Sequence, residues 1–115
     1  MEYQKILRQL YNDFNDRNID AVLAHLHRDV IWPNGWEGGS VRGHDQVRAY
    51  WIRQWQEIDP VVRPVSFQER LNKNIAVGVH QLIKNLDGKV LSDSQIIHVY
   101  SFGEGKIKTM IIEQK

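Results

Sequence analysis

The sequence predicts an α+β fold: three N-terminal helices packed in the concave face of a curved antiparallel sheet that the second half of the chain supplies. Three observations predict it. Apolar residues recur at three-and-four spacing up to Ile58, the pattern turns to extended segments after Asp59-Pro60, and Asp87-Gly88 joins two long strand-like runs. With 115 residues the chain is read as one domain, 1–115, able to bury a core without staples.

Residues 2–16 place Ile6, Leu7, Leu10, Tyr11 and Phe14 on one helical face, an amphipathic first helix broken at Asn15-Asp16-Arg17-Asn18. Asn18 suits the N-cap of a short second helix, because its side-chain oxygen can accept from a first-turn amide. Asp20 follows where the helix dipole favours an acid. Ile19, Val22, Leu23 and Leu26 form that helix's apolar face, and Val30-Ile31-Trp32 reads as a brief strand closed by Pro33. After a glycine-rich loop, His44 to Ile58 reads as a third helix with Val47, Trp51, Gln54, Trp55 and Ile58 on one face and Tyr50 at its edge. Asp59-Pro60 ends it, since the residue before proline is pushed out of helical geometry. Val61–Leu71 is extended, with Pro64 marking an edge or a bulge. Ile75–Leu86 and Val90–Phe102 form a hairpin through Asp87-Gly88. Gly103-Glu104-Gly105 then turns the chain into a last strand, Lys106–Glu113.

Composition excludes several classes of function. The net charge of +1 comes from interspersed acids and bases, with no basic stripe for a phosphate backbone, so nucleic acid is not an expected partner. The absence of cysteine removes disulfides, thiolate ligands and a cysteine nucleophile. His25 and His27 are two apart on a helical pattern and diverge, and no HExxH spacing occurs, so no metal is expected. Neither Ser40 nor Ser66 has a nucleophile-elbow context. The opening MEYQKILRQL is charged and helical in pattern, unlike a secretion signal, and no apolar run approaches a membrane span. A cytoplasmic location is expected. Arg42, Arg48 and Arg53 read as a solvated face of helix and loop.

Three segments carry a family resemblance. Asn15–Trp32, NDRNIDAVLAHLHRDVIW, resembles a capped short helix running into an acid and a strand. GHDQVRAYW, Gly43–Trp51, resembles a glycine-led third helix with aromatics near its middle. HVYSFGEGKIKTM, His98–Met110, resembles a closing hairpin. In this order they resemble the SnoaL-like, ketosteroid-isomerase-like branch of the nuclear-transport-factor-two-like superfamily, which implies the cone-shaped cystatin-like fold and a concave site at the cone's open end. The isomerases of that branch use a carboxylate base after the first strand, a tyrosine on the first helix and a protonated aspartate on the penultimate strand. By flanking residues these positions fall at Asn34, Leu10 and, with a closing turn one residue shorter, His98. An amide cannot take a proton and leucine cannot stabilise an oxyanion, so the standard ketosteroid isomerase mechanism is disfavoured.

The candidate residues each have two readings. His98 shares its strand phase with Ile96, Tyr100 and Phe102; inward, it is either a general acid–base or a buried neutral histidine with structural hydrogen bonds. Asn34 precedes Gly35, so it is either a turn former or a ligand-orienting amide. All four tryptophans fall between Trp32 and Trp55; Trp36 could cap a pocket as a lid, or the group could be ordinary core. Under the family resemblance Tyr50, Trp51 and Gln54 face the pocket, Gln54 being an amide on an aromatic face that must find partners. Tyr100 and Met110 line the interior from the closing strands. Gln81 is inward with Val77, Val79 and Ile83, unless Gly78 marks a bulge that flips the phase and turns His80 in. The expected ligand is a small, largely apolar, ring-containing metabolite, with isomerase-, cyclase- or lyase-type proton transfer through His98 and no cofactor. A non-catalytic binding or interaction module is the rival. Ile97, Val99 and Ile111 on the outer sheet face suggest a homodimer.

Overall fold

The computed structural model describes residues 2–114. Its elements run α1 Glu2–Asn15, α2 Ile19–Ala24, β1 Leu26–Pro33, β2 Ser40–Arg42, α3 Gly43–Trp55, β3 Ile58–Glu69, β4 Ile75–Asn85, β5 Val90–Gly103 and β6 Lys106–Gln114. The strands form one curved, unclosed sheet in the order β2-β1-β6-β5-β4-β3. The fold class is the expected one, with helices packed against a curved sheet. One pairing differs, because β1 runs parallel to β6 and the sheet is therefore mixed.

Local chemistry explains the helix boundaries. Leu7, Leu10 and Tyr11 of α1 are buried, as its apolar stripe requires. Asn18 caps α2 by accepting from the Ala21 amide. The second helix stops at Ala24, with His25 as its C-cap, so Leu26 opens β1 instead of completing the helical face. The third helix also stops earlier than expected. Its end is a tight turn in which the amides of Gln56 and Glu57 bond the carbonyls of Arg53 and Gln54. Ile58, Asp59 and Pro60 then pair with Asn85, Lys84 and Ile83 as the start of β3.

Proline is tolerated in β3 because the strand is an edge. Asn15 bonds both the N–H and the C=O of Val62, so that residue's backbone groups point away from β4. Pro60 and Pro64 share its parity, and their missing N–H groups fall on the open side. The bulge lies between Pro64 and Ser66, opposite Gly78. A Cβ on Gly78 would lie 2.4 Å from Ser66 Oγ, which explains the glycine. Because the extra residue sits in β3, β4 keeps its phase: Val77, Val79, Gln81 and Ile83 face the helices, and His80 faces outward to bond Asp93 at 2.6 Å. The short β2, which pairs with Ile31–Pro33 across the glycine loop, is an element the sequence pattern does not announce.

The core lies between the concave sheet face, α1 and α3. Trp51 is its centre, with Trp32 edge-on at 5.6 Å, Phe14 edge-on at 5.5 Å and Trp55 stacked at 6.0 Å. No helix among the described residues is long and apolar enough to cross a membrane.

Candidate functional site

Beside that aromatic cluster the core opens into a cavity of about 720 Å³ between α1, α3, the loop 34–39 and the concave face. Strand register gives it a floor and a mouth. Val77, His98 and Ile112 form one row across β4, β5 and β6; Val79, Ile96 and Gln114 form the next; Gln81 and Ser94 follow. Tyr100, Val77 and Val79 are fully buried, whereas Gln81, Ser94 and Ile83 are half-buried, so the deep end is at His98 and the mouth at Gln81. Four residues separate those two rows, about 13 Å at the usual strand rise.

At the deep end the Tyr11 hydroxyl lies 2.8 Å from His98 Nδ1, and the Tyr100 hydroxyl donates to the Tyr11 oxygen at 2.8 Å. Burial alone pushes the His98 imidazole down to about 4, so it is neutral at physiological pH. Burial is also the first cause that raises the Tyr11 and Tyr100 phenols, which stay protonated. Among the described residues His98 Nε2 has no hydrogen-bond partner.

The mouth is built from α3 and the loop. Tyr50 accepts hydrogen bonds from Gln54 Nε2 at 3.0 Å and from the Trp36 amide at 3.3 Å, and burial first of all raises its phenol. Asn34 is only 6% exposed, and its amide is already engaged with Glu37: Nδ2 donates to Oε1 and Oδ1 accepts from the Glu37 N–H. Arg53 grips the same carboxylate with two bonds, 2.8 and 3.0 Å, and that contact leads in holding Glu37 down at about 2. Trp36 is 43% exposed and donates its indole N–H to Glu57. Arg53 is thus a strap on the loop, a role the solvated-face reading missed, and Arg48 pairs with Asp20.

The structure brings His98, Asn34, Trp36, Tyr50, Trp51, Gln54, Gln81 and Met110 around one cavity. Tyr100 is the exception and corrects the sequence expectation. It is inward but one row deeper, under Tyr11, edge-on to His98 at 6.2 Å and beside Trp32 at 6.3 Å, so it backs the lining residues without lining the cavity itself. Tyr11 is the residue that sequence reasoning missed. By flanking residues the tyrosine position falls at Leu10, yet the next residue carries the hydroxyl that meets His98. The available signal was a polar tip on an otherwise apolar helix face.

No aspartate, glutamate, lysine or arginine lines the cavity among the described residues. No group of three His, Asp or Glu side chains converges as a metal site among them.

The SnoaL-like domain family matches residues 7–110. The chain belongs to that family. Several solved structures share its fold. An NTF2-like protein of unknown function from Burkholderia pseudomallei is 24% identical, covers 100% of this chain and 92% of its own, and superposes with a TM-score of 0.85. TerC, co-crystallised with polyporic acid, is 24% identical over 97% of this chain and 89% of its own, with a TM-score of 0.81. A Mycobacterium tuberculosis protein in complex with estradiol-17β-hemisuccinate is 16% identical over 88% and 84%, with a TM-score of 0.75. No curated protein sequence matches the chain.

Proposed function

We propose that this SnoaL-like protein, read as one domain over residues 1–115, binds a small, uncharged, largely apolar, ring-containing metabolite in its cavity. The observation that carries this reading is the wall itself, which holds no charged side chain among the described residues. A charged group taken into such a cavity would lose its hydration without a counter-charge, at a cost of several kcal/mol. Trp51, Met110, Val62 and Ile96 supply apolar surface between the ends. Gln81, Gln54 and Tyr50 offer polar contacts at the mouth, with Trp36 and Asn34 shaping the loop over it. Two proteins of the same fold were solved with ring compounds, which supports a ring-containing ligand. His98 is the group through which isomerase-, cyclase- or lyase-type chemistry would run, and the scheme uses no cofactor. A cytoplasmic setting belongs to the same reading.

Calorimetric titration with 2-ethylnaphthalene and with 2-naphthylacetate tests the charge preference. The neutral compound is expected to bind at least about tenfold more tightly, since a desolvation penalty of only about 1.4 kcal/mol already gives that ratio. Preference for the anion would remove the reading.

A purely binding, non-catalytic role is the second reading, favoured by Asn34 at the position where the isomerases carry their base. His98→Gln separates the two: lost turnover with retained binding supports catalysis. A homodimer through the outer sheet face is also part of the proposal. Ile111 is 53% exposed there, although Val99 is only 4% exposed and contributes little surface.

A further inference from the structure

The buried tyrosine pair determines which nitrogen of His98 carries the proton. Tyr100 and Tyr11 each have one hydroxyl hydrogen. Among the described residues the Tyr100 hydroxyl has one partner, Tyr11, and the Tyr11 hydroxyl has two, Tyr100 and His98 Nδ1. The cluster therefore contains two hydrogen bonds. With the imidazole proton on Nε2, two hydroxyl hydrogens fill two bonds. With it on Nδ1, three hydrogens compete for two bonds, and one is stranded where both phenols are at most 2% exposed. A stranded buried donor costs more than a hydrogen bond contributes. The chain of donation runs from Tyr100 to Tyr11 to Nδ1, and its open end is Nε2–H, which has no partner among the described residues and belongs to a residue lining the cavity.

We propose that Tyr100 and Tyr11 are positioning residues that lock His98 as the Nε2–H tautomer, so that the deep end of the cavity presents a fixed hydrogen-bond donor to an acceptor oxygen of the ligand, such as a ring ketone. This rests on the ligand-binding reading above and gives it a polarity. His98 then acts by orienting and polarising a carbonyl, not by taking a proton from carbon. The absence of any carboxylate from the cavity wall fits a site that accepts a neutral oxygen. The Val79 and Ile96 surface between this donor and the Gln81 row fits a ligand with its acceptor at one end of an extended apolar body.

Two measurements test it. The 15N shifts of His98 in the labelled protein at pH 7 report the tautomer without any ligand. The expected result is a protonated Nε2 and a bare Nδ1 in the wild type, and a mixture of tautomers in Tyr11→Phe. A protonated Nδ1, or an imidazolium, in the wild type overturns the proposal. Binding of 2-acetylnaphthalene is then compared with that of 2-ethylnaphthalene, which differs by one carbonyl oxygen. The ketone is expected to bind about tenfold more tightly to the wild type and equally to His98→Phe. Equal binding by the wild type overturns the donor role. If neither compound binds, the ligand reading fails, and the tautomer spectrum still decides the relay by itself.

Discussion

His98 and its two tyrosines show what a residue type leaves open and what its neighbours close. Imidazole alone suggests acid–base exchange near neutral pH. Burial pushes this one down to about 4, and Tyr11 occupies Nδ1. The unfolded chain binds the proton near 6.5 and the folded chain near 4, so stability is fully present above about 6.5 and falls as pH drops toward 4. The loss across that window is about 3 kcal/mol. Urea unfolding of the wild type and His98→Leu at pH 7 and pH 4.5 checks this: the difference in stability between the two should shift in favour of the leucine variant at low pH. Tyr100→Phe should cost about 1 kcal/mol, the net value of one buried hydrogen bond, in the same assay at pH 7. The sequence carried His98, because its strand phase places it among apolar residues. It concealed Tyr11, since a tyrosine at helical spacing with Leu7 and Phe14 looks like core until the facing strand is known.

The elements were legible where the signal is local. Asn18 capping α2 and Asp87-Gly88 turning β4 into β5 depend on adjacent residues alone, and Gly88 takes the positive φ of 92° that the turn needs. Pairings between distant segments were not legible. The parallel β1–β6 contact and the three-residue β2 exist only because other strands are in place. The end of α3 was misplaced because Ile58 continues the helical apolar spacing, while pairing with Asn85 draws it into β3. Gly78 tests the bulge directly. Gly78→Ala should destabilise by about 1–2 kcal/mol through overpacking against Ser66, and adding Ser66→Ala, which deletes the clashing oxygen, should restore most of it. At the loop, Glu37→Ala removes the acceptor of both Arg53 and Asn34. The pair is half exposed and screened by solvent, so global stability should stay close to that of the wild type. Faster hydrogen exchange at the Gly38 amide, which bonds the Asn34 carbonyl, would register the loosened loop.

At the scale of the whole molecule, the curved sheet and the helices on it enclose a cavity lined by no charged side chain among the described residues. Alternation along β4 and β5 made most of that wall legible, because Gln81 and His98 inherit their direction from Val77, Val79 and Ile96. Depth was not legible, since alternation gives a side chain's face and not its distance from the mouth; Tyr100 shares the phase of His98 but lies beneath the site. The outer face carries the dimer proposal, and sedimentation at micromolar concentration should give twice the monomer mass of 13.5 kDa. The central claim is the character of the ligand. Native mass spectrometry of the purified protein, followed by solvent extraction, tests it most directly. The expected result is one neutral, ring-containing compound per chain, bearing an acceptor oxygen and released on unfolding. An anionic ligand recovered at the same stoichiometry would contradict the account.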